Sequence, residues 1–262
     1  MINFIKGLVT GMGGISPGFS GSILLVMFGL YEKTLEAIVN IVKDFKKNFF
    51  FLLPLLLGMG AGFVLFGTIF SLLIENAESY TRYASLGLVL GTIPLLHKEA
   101  KKKDFKKSYY IIVLVAFLAG VSMFVLNNDF FAQVTDPNFF QSILIGVAIA
   151  GSAIIPGVNG AVILSALGVY EVFTASISIQ NFSMSTLEFL IPVGIGGIIG
   201  GLVIAYIMYK LLKNFYGIVF AVILGLFVSM IPTVLDGIYL SQINTETIIC
   251  IALAIVRICY NV

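Results

Sequence analysis

Pro17-Gly18-Phe19-Ser20-Gly21-Ser22 interrupts an apolar run near the start of the chain, and Pro156-Gly157-Val158-Asn159-Gly160 interrupts another past its middle. Each break is followed at the same distance by Gly-x-Tyr-Glu, as Gly29 to Glu32 and as Gly168 to Glu171. At an offset of 139, seven of the sixteen positions from Pro17 to Glu32 are identical: Pro17, Gly18, Gly21, Leu25, Gly29, Tyr31 and Glu32. Adjacent proline and glycine in mid-helix remove a backbone donor and loosen the chain, so both stretches read as broken helices. Breaks at corresponding places in two halves are the sequence pointer to a transporter's binding site.

The rest of the chain places those breaks in lipid. Its 262 residues are 59% hydrophobic and 11% charged, with a mean hydropathy of +1.08, whereas soluble domains are about a quarter charged. A net charge of +2, with the basic residues gathered in short loops, argues against a nucleic-acid partner. The segment Met1 to Lys6 and the run after it lack a small-residue cleavage pattern, so no leader is expected to be removed. Cys250 and Cys259 share one apolar segment and read as packing residues. One histidine and two cysteines cannot build a zinc centre or a two-histidine phosphatase site, and there is no Gly-Lys-Ser/Thr loop for a nucleotide. No enzyme activity, metal or cofactor is expected; a carrier or facilitator remains.

A full span needs about 20 residues. Candidates are Phe49–Ile74, Tyr83–Leu96, Ser108–Leu126, Leu187–Tyr209, Phe215–Leu235 and Thr245–Tyr260. Asn3 to Ser16 and Ser22 to Tyr31 are each too short to cross, so each Pro-Gly segment is either a re-entrant hairpin or one broken span. Short loops rich in Lys and Arg stay in the cytoplasm, which separates the two readings. With both segments as hairpins, the inner side holds Lys6, Lys33, Lys43, Lys46, Lys47, the run Lys98 to Lys107, Lys210, Lys213 and Arg257, leaving only Arg82 of the 15 basic residues outside. Glu75, Glu78, Asp129, Asp136 and Asp236 then fall in outer loops. A crossing second segment would send Lys210, Lys213 and Arg257 outward, so the hairpin reading is preferred.

Each half then has one re-entrant broken-helix hairpin and three transmembrane helices. An odd number of crossings inverts the second copy. At an offset of 138, Pro54 matches Pro192, Gly58 matches Gly196, Gly62 matches Gly200, Gly87 matches Gly225 and Pro94 matches Pro232. The expected fold is an all-α integral membrane protein, one membrane domain over 1–262, with a first repeat over 1–130 and a second, inverted repeat over 131–262. It is multi-pass with both termini cytoplasmic. Glu32 to Asn48 reads as an amphipathic helix lying on the surface. Its counterpart Val172 to Thr186 contains no Lys or Arg, as an outer-face segment should. Lys98 to Lys107 is either an orientation signal in a solvated loop, the preferred reading, or a run that attracts anionic headgroups of the inner leaflet.

Non-helical backbone at membrane depth must be buried by protein or face a water-filled cavity. Gly18 and Gly21 allow close approach to the backbone, and Ser20 and Ser22 can cap or extend the start of the following half-helix, with Asn159 in the Ser20 place in the second copy. Such half-helix starts suit a phosphate or carboxylate. The bland alternative is a pair of kinks between packed helices, although a kink does not require Tyr31-Glu32 and Tyr170-Glu171 so far downstream. Glu32 and Glu171 are either interfacial carboxylates or proton-coupling groups. Arg82 and Arg257 either meet an anion in bidentate geometry or snorkel to the interface. His97 reads as a solvated residue at the start of the basic loop. Gly194, Gly196-Gly197 and Gly200-Gly201 permit close packing within a subunit or in a homo-oligomer.

Gly13 to Ser22 with Gly29-Leu30-Tyr31-Glu32, and Ile154 to Gly160 with Gly168-Val169-Tyr170-Glu171, resemble the PopT family of bacterial polyprenyl-phosphate transporters, which carries a Pro-Gly-Val-Ser-Gly signature in both halves. The resemblance runs from about Lys6 to the last span. It implies a plasma-membrane flippase that returns undecaprenyl phosphate from the outer to the inner leaflet for reuse in peptidoglycan and teichoic-acid synthesis. The substrate-binding set would be Pro17, Gly18, Phe19, Ser20, Gly21, Ser22, Pro156, Gly157, Val158, Asn159, Gly160 and Arg82, with Glu32 and Glu171 as coupling candidates. The chain departs from the pattern at Gly14, where an acidic residue is expected, at Phe19 for Val and at Asn159 for Ser. A coupling mechanism built on that acid is therefore not carried over. An ion-coupled carrier of a small water-soluble anion, or a scaffold working through its basic loop, are the rival readings.

Overall fold

The computed structural model describes residues 1–13, 20–125, 134, 136–158, 160–176 and 184–232. Among these, every regular element is a helix: α1 (Ile2–Gly13), α2 (Gly21–Met27), α3 (Tyr31–Val39), α4 (Phe45–Ala100), α5 (Tyr109–Val125), α6 (Phe139–Ile154), α7 (Gly160–Ala166), α8 (Tyr170–Ser176), α9 (Met184–Asn214) and α10 (Tyr216–Val228). The expected span Thr245–Tyr260, with Cys250, Arg257 and Cys259, lies outside the described residues.

Glycine decides how the long helices meet. α1 packs along α4, and α6 packs along α9. A Cβ on Gly7 would land on the Leu55 carbonyl oxygen, and one on Gly146 would land on that of Val193. Gly58 meets the Phe4 carbonyl and Gly196 that of Ile143, while Gly62 and Gly200 press on the backbones of Leu8 and Val147. Every one of these contacts recurs at the matching residues of the other half. Backbone-to-backbone approach of this kind is how helices associate where no hydrophobic force separates them from lipid.

The expected spans Phe49–Ile74 and Tyr83–Leu96 both fall in α4, which is interrupted only at Ala77, where φ is −150° and ψ 46°. Phe215, at the matching place, has φ −136° and ψ 44° and separates α9 from α10. Neither residue is glycine or proline, so neither break carries a sequence signal. α10 is largely enclosed, with Phe220, Ala221, Ile223, Leu224 and Phe227 buried, and it packs on α4 and α5.

Glu32 to Asn48 is not one surface helix. α3 ends at Val39, Asn40 to Asp44 form turns, and α4 begins at Phe45. The buried face of α3, with Thr34, Leu35 and Ala37, lies against α9, so its apolar stripe is used by protein. Asn48 Nδ2 donates to the Asn40 carbonyl at 2.7 Å and closes the turn. His97 is also not simply solvated: its ring lies beside Phe105 and Tyr110, and burial there, with the Lys101 ammonium nearby, lowers its pKa.

The long apolar helices turn outward. Phe45–Gly67 and Thr186–Asn214 are long and apolar enough to cross a bilayer, yet only 22% and 28% of their apolar windows are buried. Phe63, Val64, Ile198, Ile199 and Val203 stand exposed. A soluble protein does not leave such continuous apolar surface uncovered, so lipid is its solvent.

Candidate functional site

The first break is seen from its downstream side. Pro17, Gly18 and Phe19 lie outside the described residues. Ser20 precedes α2 in extended conformation, at φ −116° and ψ 133°, but its side chain caps no amide. Its hydroxyl pairs instead with that of Ser22 at 2.7 Å, and both residues are buried. A Cβ on Gly21 would sit 2.9 Å from the Thr10 carbonyl oxygen, so glycine lets the second arm close onto α1. Thr10 is itself fully buried, its hydroxyl donating to the Lys6 carbonyl at 2.7 Å. Two hydroxyls bonded to each other are donors that an arriving anion can recruit without first breaking a bond to the helix.

The second break is seen almost whole, with Asn159 outside the described residues. Pro156 is buried. Gly157 has φ +86°, a conformation that strains any L side chain, and its Cα faces the α10 backbone, where a Cβ would meet the Phe227 nitrogen at 3.0 Å and the Ile223 oxygen at 3.1 Å. Val158 follows, half-buried. Gly160 opens α7 against Ser152, whose hydroxyl would lie 2.7 Å from a Cβ there. Thr10 and Ser152 were not singled out by sequence reading; the available signal was a small polar residue in an apolar arm shortly before each break.

In each half a contact joins the two arms that flank the break. Lys6 Nζ, on α1, lies 5.8 Å from the centre of the Phe28 ring just past α2. Val134, ahead of α6, donates from its amide to the Gly168 carbonyl just past α7 at 2.9 Å. The half-helices end alike as well. Gly29 at φ +64° and Gly168 at φ +67° are left-handed, with Leu30 N bonded to Leu25 O and Val169 N to Leu164 O, a glycine C-cap that satisfies the last carbonyls. Tyr31 then donates to the Ile154 carbonyl at 2.9 Å and so touches the edge of the other break.

The remaining candidates lie elsewhere. Glu32 is half exposed and pairs with Lys103 Nζ at 3.7 Å. Lys103 also stands over the Tyr216 ring, 4.6 Å from its centre. The Tyr216 hydroxyl donates to Glu99 at 3.0 Å, and Glu99 also takes Lys102 at 2.7 Å. The start of α3, the basic loop and the α9–α10 turn thus meet at one end of the molecule. Glu171 is exposed at the start of α8. Arg82 lies in α4 just past the Ala77 break.

These features define a class: an all-helical membrane protein in which α2, which follows the first break, is in contact with α6, which leads into the second. The chain belongs to the undecaprenyl phosphate translocase-like family, whose model matches residues 38–249, covering the second break and beginning after the first. It is 26% identical over 244 residues to a polyprenyl-phosphate transporter of Staphylococcus aureus, covering 90% of this chain and 86% of that protein. It is 21% identical over 245 residues to a polyprenyl-phosphate transporter of Vibrio cholerae, covering 88% of this chain and 76% of the relative. No solved structure matches the chain.

Proposed function

We propose that this chain flips undecaprenyl phosphate from the outer to the inner leaflet of the bacterial plasma membrane, as a carrier and not an enzyme, returning the lipid for cell-envelope synthesis. The observation that carries the reading is the pair of quasi-equivalent breaks, each closing back on its starting arm through a glycine. Its relatives' names point to the same substrate class. The architecture is an inverted repeat of two re-entrant hairpins, supported by the matched glycine contacts and by the twin interruptions at Ala77 and Phe215.

A phosphate headgroup with up to two charges does not cross hydrocarbon unaided, while its prenyl tail can remain in lipid. The protein therefore needs only a small polar passage open to the side. Ser20, Ser22, Asn159 and the amides around Gly21 and Gly160 hold the phosphate in turn, Gly18 and Gly157 let it approach the backbone, and Arg82 captures it at the outer side. Pro17, Phe19, Pro156 and Val158 shape the two tips. Glu32 and Glu171 are the coupling candidates, and replacing each by Gln should change the response to a pH gradient if either carries the proton.

Leaflet-to-leaflet movement of undecaprenyl phosphate in proteoliposomes tests the proposal. Wild type should accelerate it over empty vesicles, a Gly18→Leu, Gly157→Leu protein should not, and a Ser20→Ala, Asn159→Ala, Arg82→Ala protein should lose at least tenfold, about 1.4 kcal/mol of binding. Unchanged movement in the triple variant would remove the site assignment. No movement in wild type, with transport of a small anion instead, would replace the substrate.

A further inference from the structure

We propose that Tyr31 is a positioning residue for the second break, tying the two breaks together through the bond from its hydroxyl to the Ile154 carbonyl. Ile154 is the last residue of α6, where helix carbonyls lack partners of their own. The adjacent amide, Ile155 N, is used by Gly151 O, and Val158 N, which would serve the Ile154 carbonyl if the helix continued, is used by Ile155 O. The Tyr31 hydroxyl takes the Ile154 oxygen at 2.9 Å. Pro156 and Gly157 follow directly, so this bond fixes the point from which the second break departs.

Tyr31 can hold that point because its own place is set by the first half-helix. α2 starts at the Ser20–Ser22 hydroxyl pair and ends in the Gly29 cap, and Thr34 N to Leu30 O then starts α3. The ring is 4% exposed and belongs to the core that also holds Phe227, with Ile154 and Ile155 packed against it. A shift of α2 on binding at the first break must therefore either carry the Ile154 carbonyl with it or break a part-buried hydrogen bond. The matched Tyr170 is 41% exposed, so burial of this tyrosine occurs in one copy only. Such one-sidedness of burial is what an alternating mechanism requires, each conformation enclosing a given position in one half.

The consequence for transport rests on the polyprenyl-phosphate reading; the positional claim does not. In a full-length protein carrying Val158→Cys, with Cys250 and Cys259 replaced by Ser, alkylation of the introduced thiol by a small maleimide reports opening of the second break. Tyr31→Phe keeps the ring and removes the donor, leaving the part-buried Ile154 carbonyl without it. Alkylation should quicken roughly tenfold, amide exchange over 152–158 should rise, and the melting midpoint should stay within a few degrees. In proteoliposomes the maximal flipping rate should fall severalfold, with the half-saturating lipid concentration changed less than about threefold. Unchanged alkylation and exchange in a folded Tyr31→Phe protein overturns the proposal. If wild type moves no polyprenyl phosphate, the transport reading fails while alkylation and exchange still decide the role of Tyr31.

Discussion

Glycine at single positions controls this molecule in two different ways, and the difference can be measured. Gly7 and Gly146 are closed by the carbonyls of Leu55 and Val193, whereas Gly60 and Gly194 have nothing within 4 Å of a new Cβ. All four lie in helices, so an added methyl at the open pair costs no contact and reduces backbone freedom of the unfolded chain. At the closed pair it forces two helices apart along their length, an overpacking cost of about 3 kcal/mol each. Gly7→Ala and Gly146→Ala should therefore lower the melting midpoint in detergent by several degrees, and Gly60→Ala and Gly194→Ala should leave it level or slightly raised. Equal effects at all four positions would mean that the matched backbone contacts do not hold the helices together. Of these four only Gly194 was singled out in the sequence, as permission for close packing; which glycines face a partner depends on helix rotation, and proline and glycine patterning does not encode that.

At the scale of elements, the second break and helices at five of the six expected spans were legible because proline, glycine and long apolar runs act locally. Three things were not. The apolar stripe of α3 has the same pattern whether lipid or protein covers it, and here Leu35 and Ala37 are buried against α9. The interruption at Ala77 carries an ordinary helix former, so only its counterpart at Phe215 reveals that it is a built feature. The serine hydroxyls expected to cap α2 bond each other instead, which the residue types permit equally well. The start of α6 shows a cap that does form. Asn138 accepts from the Gln141 amide at 3.0 Å, and Gln141 Oε1 accepts from the Asn138 amide at 2.8 Å, a reciprocal capping box. α6 leads straight into the second break, so fraying at its start loosens the arm that positions Pro156. Asn138→Ala should cost about 1 kcal/mol of stability and raise amide exchange over the first turn of α6, while Asn138→Asp, which keeps the acceptor at a helix N-terminus, should cost less.

For the whole molecule the deciding quantity is which membrane face each loop meets. Glu32, Lys103 and Tyr216 touch at one end, so the start of α3, the basic loop and the α9–α10 turn share a side whatever that side is. We propose that it is the cytoplasmic side, since Lys33, Lys98 to Lys107, Lys210 and Lys213 lie in or beside those segments in sequence and short basic loops resist translocation. Val134, by contrast, is bonded to Gly168 where the second hairpin returns, and Asp136 next to it carries the opposite charge. If both broken segments are hairpins, these two ends face opposite sides of the bilayer and the second half is the first turned over. Single cysteines at Lys47, Lys103, Lys213 and Asp136, placed one at a time in a chain lacking Cys250 and Cys259, read this directly in intact cells treated with a membrane-impermeant maleimide. Cysteine at Asp136 should label from outside, and the other three only after the membrane is opened. Labelling of the Lys213 position from outside would mean that the second segment crosses, and the inverted repeat, with its alternating exposure of two facing breaks, would have to be abandoned.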